Sequence, residues 1–166
     1  MRTCWRQIAT LGLVLLLVLA FTIFRGGYYI SAEHDGRLLF AWAISEGERF
    51  QIEFVHSLNL SPIVDVFEWI GPGEGLILRE SKFLTLGAGT PTPADFLGSE
   101  LLHESDGFRL VGIDVPMGDF AILTHYIPNH RVVFGGNEAF LVELAGSGES
   151  VTIGVRRMSR FSQIGR

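Results

Sequence analysis

A histidine and a carboxylate on neighbouring predicted strands are the residues best placed for chemistry. Side-chain alternation along Arg49 to His56 places His56 at the end of an apolar face, and Ser57 follows it directly. On the next strand Asp65 interrupts a second apolar face. A buried carboxylate needs a partner, and a hairpin across residues 58–61 makes His56 the nearest one. This arrangement indicates either the mouth of a binding pocket or a polar cap on the core.

Three further residues bear on how this hairpin is built. Ser61 and Pro62 fix the exit of the turn, and Glu68 is the alternative carboxylate, on the opposite face of its strand. Which carboxylate faces inward depends on the strand register.

Ser57 and His56 point to opposite faces because they are adjacent on a strand, which disfavours a pair of nucleophile and general base. No catalytic residue is therefore predicted.

A second polar segment, Gly87-Ala88-Gly89-Thr90-Pro91, follows this hairpin. Two glycines around an alanine allow close backbone approach and exposed amides, which is how a backbone nest binds an anion. The alternative is a tight loop that crosses the end of the sheet. The segment lacks the length and the lysine of a phosphate-binding loop. We therefore expect Gly87, Ala88 and Gly89 to border the same polar cluster as His56, as a ligand-binding or a structural loop.

The remaining histidines do not form a metal-ligating pattern. A zinc site requires several ligands that converge on one point, and sheet alternation puts His125 and His130 on opposite faces. The residues considered are His34, His103, His125 and His130. Neither a metal site nor a cofactor is predicted.

Short alternating apolar runs, separated by Gly, Pro, Asn and Asp, fill the chain from Gly36 onward. The pattern predicts an all-β domain, a single antiparallel β-sandwich or partly closed barrel of about 8–9 short strands, preceded by one N-terminal hydrophobic helix. Residues 87–106 are an exception, a long loop in which only Ala94 to His103 suits a short helix or an isolated turn. The predicted strands are Arg37–Ile44, Arg49–His56, Pro62–Ile70, Gly75–Phe83, Gly107–Val115, Phe120–Ile127, Arg131–Phe134, Ala139–Leu144 and Ser150–Arg156.

Residues 8–24 form an uncharged apolar run. At about 1.5 Å per residue, a helix of this length covers roughly 25 Å, the short end of a bilayer span. Two interpretations compete, a removed signal peptide and a retained signal-anchor. The best small residue for cleavage, Ala32, has Ile30 where a second small residue is preferred, which favours the anchor.

The charges around this run predict its orientation. Arg2 and Arg6 outnumber Arg25, which keeps the N-terminus in the cytoplasm. We therefore expect a single-pass protein of the cell membrane with a periplasmic or extracellular body, or a protein secreted to the periplasm if the leader is cleaved. The predicted divisions are a leader (1–32), an extracytoplasmic β domain (33–155) and a basic tail (156–166).

The predicted β domain and tail are strongly acidic. Without the three leader arginines, ten basic residues stand against eighteen acidic ones, a formal charge of minus eight. This charge opposes contact with phosphate backbones, so nucleic acid is not an expected partner. Cys4 is the only cysteine and precedes the apolar run, so neither a disulfide nor a lipid-modified cysteine is predicted.

His56-Ser57, Pro62 with its acidic strand, and Gly87-Ala88-Gly89 together resemble the bacterial family known as domain of unknown function 1850. The resemblance runs from Arg37 to Val155. Proteins of that family are small and exported, and they are encoded or fused beside the membrane subunits of tripartite ATP-independent periplasmic (TRAP) transporters of the TAXI type. The family often carries a glutamate and a threonine before its proline, where this chain has Asn59-Leu60-Ser61.

The resemblance implies a membrane-anchored, extracytoplasmic, non-enzymatic accessory protein of such a transporter. Its expected partners are the inner membrane and the transporter's membrane or substrate-binding subunit. The alternative is a small-ligand domain, for an organic anion or a metal ion, lined by His56, Ser57, Asp65 and the amides of residues 87–89. An enzyme has the least support, because no residue set names a reaction.

Overall fold

The computed structural model describes residues 11–16 and 26–159. The chain divides into two compact units: Tyr29–Arg156, which we call the body, and Met1–Tyr28 with Arg157–Arg166. In the second unit, residues 11–16 are helical. Most of the predicted leader helix, and residues 160–166 of the predicted tail, lie outside the described residues. Within the described ranges, no helix has both the length and the apolar character that crossing a membrane requires.

Eleven strands and one short helix make up the fold from residue 26 to residue 159. They are β1 (Gly27–His34), β2 (Arg37–Ala43), β3 (Arg49–Val55), β4 (Pro62–Trp69), β5 (Leu76–Phe83), β6 (Glu100–Glu104), β7 (Gly107–Pro116), β8 (Phe120–Leu123), β9 (Arg131–Phe134), β10 (Asn137–Phe140), α1 (Leu141–Ala145) and β11 (Ser150–Met158). The smaller sheet has the order β2-β1-β11-β8, and the larger has the order β10-β9-β3-β4-β5-β7-β6. Neither sheet closes on itself. The predicted all-β class and antiparallel sandwich are therefore confirmed, whereas a partly closed barrel is not formed.

The register of β3 against β4 places the predicted site residues. Phe50 lies opposite Phe67, and Ile52 lies opposite Asp65. Residues that oppose each other across a strand pair point to the same face. These apolar side chains and Asp65 therefore face the smaller sheet, and Glu68, one residue beyond Phe67, faces outward.

Aromatic rings join the two sheets. Phe67 of β4 stacks on Phe50 of β3 with ring centroids 5.3 Å apart, and on Phe120 of β8 at 5.0 Å. Stacked rings add to the free energy of apolar burial. Buried aliphatic residues from both sheets and from α1 complete the core: Ile30, Leu76, Leu110, Val132, Leu141, Val151 and Ile153.

The body has two ends, which we call the base and the loop end. The base comprises the turns after β2, β4 and β7, where the Gly47 amide donates to the Trp69 carbonyl at 2.7 Å. At the opposite end of the larger sheet, the Val55 amide donates to the Pro128 carbonyl at 2.8 Å. The loop end comprises the segments 56–61, 84–94 and 124–130.

Two strands were missed in the sequence prediction. β1 begins at Gly27, inside the region assigned to the leader, because its apolar residues pair with β2 and supply the buried Ile30. The second is β6, within the stretch predicted to form a short helix or an isolated turn. Residues 93–98 do form turns, but Glu100–Glu104 pair with β7 at the edge of the larger sheet.

Two predicted strands end early, each for a local reason. The strand expected to reach Ile127 stops at Leu123, because the buried Thr124 hydroxyl donates to the Gly146 carbonyl at 2.6 Å and redirects the chain. The strand expected over residues 139–144 is instead β10 followed by α1. Leu141 and Val142 are buried on one side of this single helical turn, and so short a turn leaves no helical periodicity in the sequence.

The Phe67 ring should be one of the main stabilising contacts between the sheets. Replacing Phe67 by alanine should lower the free energy of unfolding by about 3–5 kcal/mol, because it empties the space between Phe50 and Phe120. Urea unfolding measures this loss. The control is Leu123→Ala, at a position that is 66% exposed, with an expected effect below about 0.5 kcal/mol. Similar losses in both variants would contradict the assignment.

Candidate functional site

His56 and the glycine segment meet at the loop end. The His56 amide donates to the Ser61 carbonyl at 2.8 Å, and the Leu60 amide donates to the His56 carbonyl at 2.9 Å, so the chain turns tightly after β3. The His56 ring lies against the backbone of Gly89, where an added Cβ atom would approach the ring Nε2 to 2.6 Å. Gly89 also has a φ of +84°. Both observations favour glycine at this position.

Thr90 closes the glycine segment into a turn. Its amide donates to the Gly87 carbonyl at 3.1 Å. Its buried hydroxyl contacts the same carbonyl at 2.7 Å and accepts from the Gly87 amide at 2.9 Å. The Gly87 amide is therefore satisfied inside the turn, which weakens its use in an anion nest. The geometry favours the structural loop over the ligand-binding loop.

Asn59 ties the hairpin to the segment that follows β5. Its Oδ1 accepts from the Ser61 amide at 3.2 Å and from the Ser61 hydroxyl at 2.8 Å. Its Nδ2 donates to the Thr85 hydroxyl at 3.2 Å. With the His56 ring and the Thr90 hydroxyl, these groups form what we call the polar brace. The polar brace holds two segments of the loop end together by contacts within the chain.

Asp65 has its partner on β5 instead of in His56. The register places Ile52 opposite Asp65, four residues before His56. The buried Ser81 hydroxyl donates to Asp65 Oδ1 at 2.7 Å. Burial raises the pKa of Asp65 from 3.8 to about 6, and the Ser81 hydrogen bond opposes only part of that shift. The predicted pairing of His56 with Asp65 is therefore wrong, although Asp65 does face inward.

Glu68 lies on the outer face of the larger sheet. It accepts from Arg49 at 2.9 Å and from Arg79 at 3.2 Å. Desolvation acts to raise the pKa of Glu68, but the hydrogen bonds from the two guanidinium groups outweigh it and lower the pKa. Glu68 thus belongs to a row of surface ion pairs and not to the polar brace.

A second histidine turn, which sequence reasoning missed, stands beside the first. The Asn129 amide donates to the His125 carbonyl at 2.9 Å, and the Ile127 amide lies 3.4 Å from the His125 Nδ1. The turn after His56 repeats both contacts. Asn129 and Leu60 occupy the same position in the two turns and have φ values of +44° and +54°. The shared sequence signal is a histidine with an aliphatic residue two positions later.

The three segments of the loop end expose apolar side chains. The hydrogen bond between Val55 and Pro128 holds the second histidine turn beside the first. None of the three segments contains an Asp, Glu, Lys or Arg, and the predicted site residues Ser57 and Ala88 are exposed among them, with Pro62 at their border. Six of the nine exposed large hydrophobic residues of the body lie here: Leu58, Leu60, Leu84, Leu86, Tyr126 and Ile127.

Two of the other histidines pack against aromatic rings. His103 stacks on Phe108 at 4.9 Å, and His130 lies against Phe54 at 5.1 Å. Burial lowers the pKa of His130, which favours the neutral ring in this packing. In the part of the chain that the structure describes, no group of three or more His, Cys, Asp or Glu residues is placed to hold a metal ion.

The contact between His56 and Gly89 can be tested by adding one methyl group. Gly89→Ala should cost about 1 kcal/mol or more in urea unfolding, because alanine disfavours the positive φ and displaces the His56 ring. Gly87→Ala is the matched control, since a Cβ there meets nothing within 4 Å, and it should cost less than about 0.5 kcal/mol. Adding His56→Ala to Gly89→Ala removes the clash, so the combined loss should fall below the sum. Strict additivity would argue against the contact.

The buried Asp65 carboxyl should make stability depend on pH. Its raised pKa means that the folded state binds the proton more tightly than the unfolded state. The stabilising contribution is therefore complete below pH 3.8 and is lost as the pH rises through about 6. Asp65→Asn should be more stable than the parent at pH 7.5, and this advantage should shrink by about 2–3 kcal/mol at pH 4.

Glu68→Gln provides the comparison for Asp65→Asn. The lowered pKa of Glu68 gives the opposite sign, because the charged carboxylate stabilises the fold above its unfolded-state pKa. This variant should therefore lose stability at pH 7.5 and recover toward the parent at pH 4. Urea unfolding at both pH values measures the two effects, and equal behaviour of the variants would contradict the burial of Asp65.

Comparison with protein-family models identifies the family of this chain. A family model described as Domain of unknown function (DUF1850) matches residues 50–141, from the second residue of β3 to the first residue of α1. The matched region contains the polar brace and both histidine turns. No curated protein and no solved structure matches the chain. Because the family model covers more than half of the 166 residues, the chain belongs to the DUF1850 family.

Proposed function

We propose that the protein is a non-enzymatic accessory module of a TAXI-type TRAP transporter. In this proposal the apolar segment at residues 8–24 holds it to the inner membrane, and its β domain lies outside the cytoplasm. The support is the family membership, the charge pattern of the leader and the resemblance to proteins encoded beside such transporters. The module acts by binding another subunit.

The clustering of apolar residues at the loop end is the observation that carries this proposal. Single exposed leucines are normal on a protein surface, whereas a contiguous group marks an interaction site. Leu58, Leu60 and Tyr126 are each more than two-thirds exposed. Their burial against a partner would contribute the same kind of free energy that holds the core together.

The polar brace supports a docking role over a chemical one. Asn59 forms hydrogen bonds with Ser61 and Thr85, and Thr90 forms one with Gly87, so these groups stabilise the shape of the loops. A surface that is already shaped loses less conformational entropy when a partner binds. The loop end is thus suited to form a contact without first rearranging.

Charge gives the loop end its selectivity. The acidic body repels other acidic surfaces, while segments 56–61, 84–94 and 124–130 contain no Asp, Glu, Lys or Arg. A partner that contacts only these three segments meets no carboxylate, ammonium or guanidinium group, although Lys82, Glu104 and Asp106 lie beside Leu84. We therefore expect binding to depend weakly on ionic strength, unlike contacts made by charged surfaces.

Co-purification from native membranes tests the function. The full chain, tagged and expressed with the transporter subunits, should retain the transporter through detergent extraction, and deletion of its gene should reduce uptake of the transported organic anion. An unrelated tagged single-pass protein serves as the control for retention. A transporter that assembles and transports normally in the deletion strain would contradict the proposed function.

A further inference from the structure

A groove of about 520 Å³ opens along one side of the sandwich and shares no residue with the loop end. It runs between β2, the edge strand of the smaller sheet, and β10 with α1, at the edge of the larger sheet. Its walls combine the rings of Phe40, Trp42 and Phe140 with the carboxylates of Glu138 and Glu143, and its other lining residues are aliphatic. Sites for small molecules commonly measure about 300–1,000 Å³. The groove therefore has the size of a small-molecule site.

Phe40 and Trp42 form an aromatic wall of this groove. Across the strand pair, Phe40 lies opposite Ala32 and Trp42 lies opposite Ile30. Ala32 and Ile30 are fully buried, so the two rings share the face of β2 that turns toward the larger sheet. The ring centroids are 4.1 Å apart with an interplanar angle of 20°, a stacked pair. Both residues are only half-buried, which leaves an ordered apolar surface that a ligand can reach.

The charge around the groove is negative. Arg131 donates to Glu138 at 2.8 Å and also binds Glu53, so one guanidinium serves two carboxylates. Glu143 is exposed and has no ion pair among the described residues. Arg37 does not line the groove, and its guanidinium donates to a carbonyl at the end of α1 at 3.2 Å. Three carboxylates against two guanidinium groups leave one negative charge beside the aromatic wall.

The chain itself shows how this region holds a cation. The guanidinium carbon of Arg131 lies 5.5 Å from the centroid of the Phe140 ring, while the same group donates to Glu138. An aromatic face and a carboxylate thus stabilise one cation together. Trp42 and Glu143 offer the same two groups within the groove, and none of the residues that line it is a cation. Tryptophan is the side chain whose ring attracts cations most strongly.

We infer that the groove binds a small organic cation, an ammonium or guanidinium group carried on an apolar body. The apolar body packs on Phe40 and Trp42, and the cation lies where it interacts with the Trp42 ring and the Glu143 carboxylate. An organic anion is disfavoured, because both charged residues of the lining repel it. Since the groove lies outside the loop end, this site does not depend on the proposed function.

Isothermal titration calorimetry on the full chain in phosphatidylcholine nanodiscs tests the site. The probe is 3-phenylpropylammonium, and its matched controls are the neutral 3-phenylpropanol and the anionic 3-phenylpropionate. Empty nanodiscs correct for partitioning into lipid. The ammonium compound should bind about tenfold or more tightly than the alcohol, because only the cation gains from the ring and the carboxylates. Equal affinities, or no binding of the ammonium compound, would overturn the inference.

Two substitutions locate the bound cation. Glu143→Gln removes the charge at nearly constant shape and should lower the affinity for the ammonium compound about fivefold or more, without changing the affinity for the alcohol. Trp42→Leu keeps an apolar side chain, removes the aromatic face and should cause a similar loss. Glu74→Gln removes an exposed carboxylate of the base and should have no effect. Urea unfolding verifies that each variant is folded, and Glu143→Gln alone decides the result if Trp42→Leu is not.

The remaining outcomes would also contradict the site. Unchanged affinity of the ammonium compound in Glu143→Gln would place its binding elsewhere, and an equal loss in Glu74→Gln would indicate a general attraction to the acidic body. A blocked peptide, acetyl-Leu-Arg-Leu-amide, carries the same type of cation on a protein backbone. Tighter binding of this peptide than of the ammonium compound would assign the groove to a partner protein instead of a small molecule.

Discussion

The register of β3 against β4 is the constraint on which the rest of the body depends. In the observed register, Phe67 meets Phe50 and Phe120, and the two sheets are joined. A slip of one residue would turn Phe67 toward solvent and bring Glu68 into the core without its arginine partners. It would also move the His56 turn relative to Gly89. The core and the loop end are therefore set by one pairing.

Strand alternation is sufficient to predict much of this arrangement. β3 and β4 follow from their apolar faces, and the same periodicity places Asp65 in an apolar series. Whether Asp65 or Glu68 faces inward depended on the strand register, which the structure supplies. The partner of Asp65 did not follow, because a sequence shows which face a residue occupies but not which strand lies beside it. Ser81 is sixteen positions away and bonds Asp65 from the third strand of the meander.

Features made by distant segments were beyond the reach of the sequence pattern. The second histidine turn lies beside the first because of the hydrogen bond from Val55 to Pro128, which joins residues far apart in the chain. β1 was missed for another reason, since only Arg25, Gly26 and Gly27 separate its apolar residues from the apolar leader. The apolar surface of the loop end could not be predicted either, because the fold determines whether a given leucine is buried or exposed.

The short edge strands of the larger sheet limit how one copy of the protein can associate with another chain. β10 and β6, the two outermost strands, have only four and five residues. Strands this short offer few unpaired amides and carbonyls to a neighbouring chain, which protects against edge-to-edge polymerisation. The larger sheet can therefore contact another protein through its side chains, but scarcely through backbone pairing at its edges.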